Sequence, residues 1–273
     1  MNDTFEQQFS PSFPQQTAVD CLAENTSFSK QQLKQFMQKG AVWLQTIEQT
    51  KPTRIRRAKK LLAASDILFF YYNAFVLNSK IESPRLISDE IGFSVWYKPK
   101  GVLCQGSKWA DHTTINRWIE THYLFNGQHR NAIIVHRLDK ATDGLMLIAH
   151  NHTTAKKLTQ AFENRKLTKI YHAKVLGHFK DLITLNSPID DKTAISHITP
   201  IKYNPLNDTT LVSVQIETGR KHQIRKHLSQ AGFAIVGDRL YGKQTEYQED
   251  LQLTAVYLKL NLDNNNYSFS LLD

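Results

Sequence analysis

Two cysteines, Cys21 and Cys104, are all that the 273 residues contain. They are too few for a disulfide framework or a cysteine-based zinc site, and they read as inert thiols of a reducing compartment, the cytoplasm. Long apolar runs are missing as well. The best stretches, Ile67 to Leu77 and Gly144 to Ala149, fall short of the roughly 18 apolar residues that crossing a bilayer requires. Met1 to Gln16 has neither the basic start nor the apolar centre of a secretion signal and reads as a loose polar tail. There is no P-loop, no glycine pattern of a dinucleotide-binding turn and no His/Cys cluster at metal-ligand spacing. Internal repeats and low-complexity tracts are absent too. These absences exclude a disulfide scaffold, a helical membrane protein and the common signatures of nucleotide- or metal-dependent enzymes.

What is present is an ordinary globular composition with a basic excess. Apolar residues make up 41% and charged residues 22%, enough to bury a core and too apolar for disorder. Lys and Arg number 34 against 25 Asp and Glu, a formal charge of +9. Such an excess suits either a polyanionic partner or a merely solvated basic surface, and only the placement of the charges separates the two.

Along the chain the texture changes once. After a flexible tail (1–25), Ser29 is placed to cap a short helix through Met37, Gly40 stops it, and Ala41 to Ile47 is strand-like. A basic amphipathic helix over Arg57 to Ala64 and a strand over Asp66 to Tyr72 complete a small α+β N-terminal domain (26–77). A linker (78–89) leads into a larger domain (90–273). There, strands are expected at Ile91 to Trp96, Asn131 to Val135, Leu145 to Ile148, Lys169 to Leu176, Thr209 to Ile216 and Thr254 to Leu260. Two amphipathic helices, Thr153 to Asn164 and Lys221 to Ala231, interrupt them. Because strands and helices do not alternate regularly, the fold class is α+β, a mixed and largely antiparallel sheet with packed helices.

The most informative stretch is His136-Arg137-Leu138-Asp139-Lys140-Ala141-Thr142-Asp143-Gly144-Leu145, a polar loop between two apolar strands. Strands hold such a loop rigidly while it presents side chains, which is where binding and catalytic groups concentrate. Taken alone, Asp139 would be an ordinary carboxylate paired with Arg137 or Lys140. It does not stand alone, because the segment resembles the HRLD-x-x-T-S-G-L signature of RluA-type pseudouridine synthases. Further blocks stand in order along the chain: upstream Lys98-Pro99-Lys100-Gly101, and downstream Leu167 to Tyr171 and Glu217 to Arg225, resemble the family's K-P-x-G, K-x-Y and T-G-R-x-H-Q-I-R segments, and Val236 to Gly242 follows the last at the family's distance. Lys140 stands where the family often has Arg and Asp143 where it usually has Ser; Asp143 would bring a second negative charge toward Asp139.

The resemblance implies the pseudouridine synthase fold and conversion of chosen uridines in RNA to pseudouridine, with Asp139 as the catalytic carboxylate. It places Tyr171 and Arg225 beside it, Arg225 as a fork of donors able to orient a carboxylate. Arg137 would enter the RNA when the target base is flipped out, with Lys140, Arg220 and Lys221 as further RNA contacts. The product has the same atoms as the substrate, so no cofactor and no metal are expected, and His136 and His222 read as hydrogen-bonded structural residues. Lys51, Arg54, Arg56, Arg57, Lys59 and Lys60 crowd one short stretch. Its setting resembles the S-four-type RNA-binding domain, which makes Arg54, Arg56 and Arg57 RNA-binding candidates. The expected partner is RNA, ribosomal in preference to transfer RNA, with no membrane association and a monomeric chain. The rival readings are a non-catalytic RNA-binding protein acting in ribosome assembly and a glycosidase needing a second acid near Asp139.

Overall fold

The computed structural model describes residues 3–164, 166–242 and 249–272. By contacts the chain forms two compact units, one made of Met1–Ile81 with Gln105–Trp118, the other of Glu82–Cys104 with Ile119–Asp273.

In the first unit the elements are β1 (Thr4–Phe9), α1 (Ala18–Asn25), α2 (Lys30–Lys39), β2 (Val42–Gln45), β3 (Thr53–Arg54), β4 (Ile67–Asn73) and α3 (Ala74–Asn78). The four strands form an antiparallel sheet in the order β1-β4-β2-β3. Its core joins Leu68 and Phe70 of β4 to Val42 of β2, Cys21 and Leu22 of α1, and Leu33 and Met37 of α2, all fully buried. Ser29 caps α2 through a reciprocal box: its hydroxyl accepts from the Gln32 amide at 3.3 Å, and the Gln32 side chain accepts from the Ser29 amide at 2.9 Å. Gly40, at φ +88°, ends the helix.

Three expectations for this region are corrected. The tail is not loose: β1 pairs along β4, with Phe5 among Phe28, Phe70 and Tyr72. An edge strand with one polar face conceals itself in a polar segment. No helix forms over residues 57–64, because that backbone pairs instead with the chain at the entry to α1: the Ala18 amide donates to Lys60 O at 2.9 Å and the Leu62 amide to Gln16 O at 3.0 Å. Finally, the unit recruits residues 105–118 from within the expected second domain.

The second unit holds β5 (Arg85–Asp89), inside the expected linker, and β6 (Phe93–Lys98). After α4 (Ile115–His122), within which the chain passes from one unit to the other, come β7 (Ile133–Ile134), β8 (Asp143–Ala149), α5 (His152–Glu163) and β9 (Leu167–Leu176). Then follow β10 (Ile183–Leu185), β11 (Ser196–Asn204), β12 (Thr209–Ile216), α6 (Gln223–Gln230), β13 (Leu253–Leu262) and β14 (Asn265–Ser270). The sheet runs β10-β11-β12-β9-β13-β8-β6-β5, with β14 on β13 and β7 on β8. Among the described residues only the β13–β8 pair is parallel. The protein is thus α+β with a mixed, largely antiparallel sheet, as its pattern of elements predicts.

β8 is buried at every position, which explains its unbroken apolar run: covered faces remove the usual alternation. Leu145 and Leu147 from it meet Phe93, Val95, Leu158, Leu258 and Leu260 in one cluster. Gly144 sits at φ +116°, and a Cβ there would lie 2.3 Å from the Ala255 carbonyl oxygen. Close passage of β13 therefore requires glycine at the start of β8. Among the described residues no helix is long and apolar enough to cross a membrane.

Candidate active site

The loop between β7 and β8 carries Asp139 and is held from several directions. The Thr142 amide donates to the Asp139 carbonyl at 3.1 Å, and the Gly101 amide to that of Lys140 at 2.8 Å. Cys104 Sγ accepts from the Leu138 amide at 3.3 Å and donates to its carbonyl at 3.2 Å, so the thiol satisfies the peptide next to Asp139 much as a neighbouring strand would. Lys98 is fully buried, with Nζ donating to Pro99 O at 3.1 Å and Val102 O at 3.0 Å. Burial pushes its pKa down to about 8, against the pull of Cys104, Asp143 and Asp139. On the approach to the loop, His136 Nε2 accepts from the Leu147 amide at 2.8 Å while the ring stacks on Phe162 at 4.5 Å. Desolvation pushes the imidazole to about 3, so it is neutral at physiological pH. That matches its reading as a structural residue.

A turn before α6 brings the second group. Gln223 pins it: its side-chain oxygen accepts from Thr218 Oγ1 at 2.7 Å and the Arg220 amide at 3.0 Å, and its nitrogen donates to Ile195 O at 2.9 Å and Ser196 Oγ at 3.0 Å. So fixed, α6 directs the 6%-exposed side chain of Arg225 toward Asp139, with Nη1 3.7 Å from Oδ2. Its bidentate partner, however, is Asp238, through Nε at 2.8 Å and Nη2 at 2.7 Å. The expectation that Arg225 would grip Asp139 with its fork is corrected accordingly. Asp238 Oδ1 also accepts from the Leu240 and Tyr241 amides at 3.0 and 3.1 Å. Burial raises the Asp238 pKa, but Arg225 and these amides outweigh it and hold the carboxyl below its ordinary value. Burial likewise opposes the Arg225 charge, and Asp238 followed by Asp139 outweighs it, raising that pKa.

His222 precedes α6 in the left-handed region at φ +56°. Its Nε2 is 3.7 Å from Asp139 Oδ1, and its Nδ1 shares a 2.9 Å hydrogen bond with the Tyr241 hydroxyl. Burial lowers its pKa, with Asp139 opposing. Tyr171 comes from β9, where it pairs in register with Val214 and Ala255. Its phenol is pushed up by burial, then by Asp139 and Cys104, and stays protonated at neutral pH.

Asp139, Tyr171 and Arg225 all line one cavity of about 280 Å³, together with Arg137, Arg220, Lys221 and His222. That volume is near the lower end of small-molecule sites, ~300–1,000 Å³, and suits one extruded nucleotide rather than a helix. Arg137 and Lys221 are exposed at its rim, while Arg220 is half-buried and donates to Thr193 O at 3.0 Å. Lys140 is exposed and does not line the cavity. Asp143 faces elsewhere: its oxygens accept from Tyr97 at 2.7 Å and Thr254 at 2.8 Å, so it adds no charge to the cavity wall. Sequence reasoning gave no role to Asp238, Tyr241 or Cys104, although the first two lie in a quoted motif.

In the first unit Arg54 and Arg56 are committed to structure. Arg54 Nε donates to Gly40 O at 2.9 Å, and Arg56 bonds Gln38 O at 2.9 Å and Asp111 at 2.5 Å. They are staples of the segment 105–118 rather than freely offered cations, whereas Arg57 is exposed and lines a groove with Lys34, Lys59 and Lys60.

A carboxylate, a buried guanidinium and a phenol thus line one small cavity with a basic rim, the groups that acid–base chemistry on an anionic substrate uses. Comparison with known proteins gives the class. The family model described as RNA pseudouridylate synthase matches residues 92–230. An uncharacterized RNA pseudouridine synthase of Aquifex aeolicus is 30% identical over 236 residues, 79% of this chain and 73% of that one. Ribosomal large subunit pseudouridine synthase D of Borreliella burgdorferi is 30% identical over 205 residues, covering 67% and 62%. The structure of human RNA pseudouridylate synthase domain containing 1 shares the fold, with a TM-score of 0.60 and 21% identity over 71% of this chain and 85% of that one. The chain belongs to the RNA pseudouridylate synthase family, of RluA type, whose members isomerise uridine in RNA.

Proposed function

We propose that Asp139 is the catalytic carboxylate and that the substrate is ribosomal RNA. The convergence of Asp139, Tyr171 and Arg225 on one cavity supports the first part. In the reaction the bond from ribose C1′ to uracil N1 breaks, a bond from C1′ to C5 forms, and a proton leaves C5 as one is gained at N1. Nothing is oxidised or reduced, so the steps need only a nucleophile or base and a means of holding the base. Asp139 adds to the nucleotide or deprotonates an intermediate. Arg225 presents its positive charge toward that oxygen, and Tyr171 packs against the base with its hydroxyl protonated. Arg137 fills the gap left by the flipped nucleotide, and Arg220 and Lys221 neutralise flanking phosphates.

The ribosomal target rests on the name of the Borreliella burgdorferi relative and on the basic first unit, which we read as an S-four-like RNA-binding module using Arg57 and its neighbours. Transfer RNA is the second candidate. Pseudouridine mapping of RNA from cells with and without this protein tests both parts. Loss of a ribosomal site, restored by the wild-type chain and not by Asp139→Asn, is expected. Loss only in transfer RNA overturns the target, and restoration by Asp139→Asn overturns the catalytic role.

A further inference from the structure

The outer face of the small sheet is aromatic where it would ordinarily be polar. Along β4, Leu68 and Phe70 enter the core while Phe69 and Tyr71 point the other way and stay half-exposed. Trp43 on β2 does the same. Strand register aligns them: Gln8, Phe69, Trp43 and Arg54 form one continuous row across β1, β4, β2 and β3. Tyr71 stands beside this row opposite Glu6, and half-exposed Trp109 meets it edge-on at 6.2 Å. Phe69 and Tyr71 lie nearly parallel, 12° apart with centroids 6.3 Å apart.

Cations are interleaved with these rings. The Arg54 guanidinium lies 4.3 Å from the Trp43 centroid, and Lys108 Nζ lies 4.9 Å from that of Trp109 and 5.5 Å from that of Tyr71. Lys108 also pairs with Glu6, an exposed contact that water and salt readily screen. The segment 107–109 touches this face at one side, where Trp43 Nε1 donates to Lys108 O at 3.0 Å. Phe69 has no ring contact with Trp109 among the described residues; its one ring neighbour is Tyr71.

A solvated sheet face favours polar side chains, so four half-exposed rings carrying cations call for an occupant. We infer that this face is a stacking platform for unpaired bases of the RNA substrate. Rings accept the π-faces of bases of any sequence, while the exposed Lys108, Arg57, Lys59 and Lys60 of the same unit complement phosphates. The inference rests on RNA being the substrate but not on the role of Asp139. It also separates two duties within the unit: flat rings for bases on the sheet, and charge for the backbone in the groove beside α2.

The test uses the full chain with two labelled probes, a ten-nucleotide oligouridylate and a perfectly paired RNA hairpin. Phe69→Leu with Tyr71→Leu keeps apolar bulk on β4 and should weaken oligouridylate binding roughly 5- to 100-fold. Hairpin binding and the salt dependence should be unchanged, and Phe69→Tyr should bind as the wild type does. Oligouridylate should also quench tryptophan fluorescence, equally in Asp139→Asn. Equal binding of oligouridylate by the wild type and the double leucine variant would overturn the platform. So would a parallel loss for both probes, or a loss in Phe69→Tyr as large as in the double leucine variant. Pseudouridine formation by the wild type, measured separately, shows whether the enzymatic reading stands when the platform fails.

Discussion

Arg225 spends its paired donors on Asp238 and leaves only Nη1, at 3.7 Å, for Asp139. The arginine is thereby locked by a partner outside the reacting group, and Asp139 is approached at 3.7 Å on each oxygen, by Arg225 at Oδ2 and by His222 at Oδ1, without a bidentate clasp. A carboxylate clasped by both forks would be a poorer nucleophile and base.

Removing that cation should therefore act on the chemical step. Arg225→Met is expected to lower single-turnover pseudouridine formation by about 100-fold or more, the scale of a lost electrostatic stabiliser, with RNA affinity changed less than about threefold. Rapid-quench and filter-binding measurements separate the two. A proportional loss of affinity would reassign Arg225 to phosphate binding.

Asp238→Asn should cost stability first. Breaking a buried pair typically costs about 3–5 kcal/mol, and here Arg225 is 6% exposed and Asp238 1%. Urea unfolding should show the drop, and turnover should fall as Arg225 loses its anchor. Unchanged stability would mean that the pair is not a staple.

The imidazole of His136 sets an acid limit. Its folded pKa of about 3 lies below the ordinary 6.5, so between these values the unfolded chain binds a proton that the native chain does not. The stability it contributes is present above about pH 6.5 and is lost as pH falls toward 3. From pH 6.5 to 5 the loss should be on the order of 1–2 kcal/mol. Denaturation at several pH values in wild type and His136→Gln should show the smaller acid loss in the variant.

Charge in the first unit should divide by its partners. Arg57→Gln, Lys59→Gln and Lys60→Gln together should flatten the salt slope of RNA binding by about 2, taking roughly 0.7 per phosphate contact, and leave stability near wild type. Arg56→Gln should instead destabilise, because its guanidinium bonds Asp111 and the Gln38 carbonyl. Salt titrations and thermal melts on both variants decide the assignment.

Much of the site was legible because each chemical residue lies in a block that also carries its local geometry. Asp139 sits between two apolar strands, and Thr218 to Arg225 contains Gln223, which pins its own turn. Partners from distant segments were not legible. Nothing near Arg225 in sequence announces Asp238, and nothing near Leu138 announces the thiol of Cys104. Of the strands with covered faces or strong alternation, β12 was found to the residue and β8 in its central four residues. The edge strands β1, β5 and β14 were missed because half of each is polar. The basic run over residues 57–64 misled for a related reason: helical spacing of Ala58, Leu61 and Leu62 says nothing of where the backbone finds its hydrogen bonds.

The first unit is assembled from two separate stretches of chain, so no single cut can excise it whole. A truncation starting at residue 82 would strand Asp111 without Arg54 and Arg56, while a fragment ending at residue 81 would lose the carboxylate that both arginines share. The appendage and the enzyme are interlaced in covalent order, and a deletion meant to remove one would injure the other.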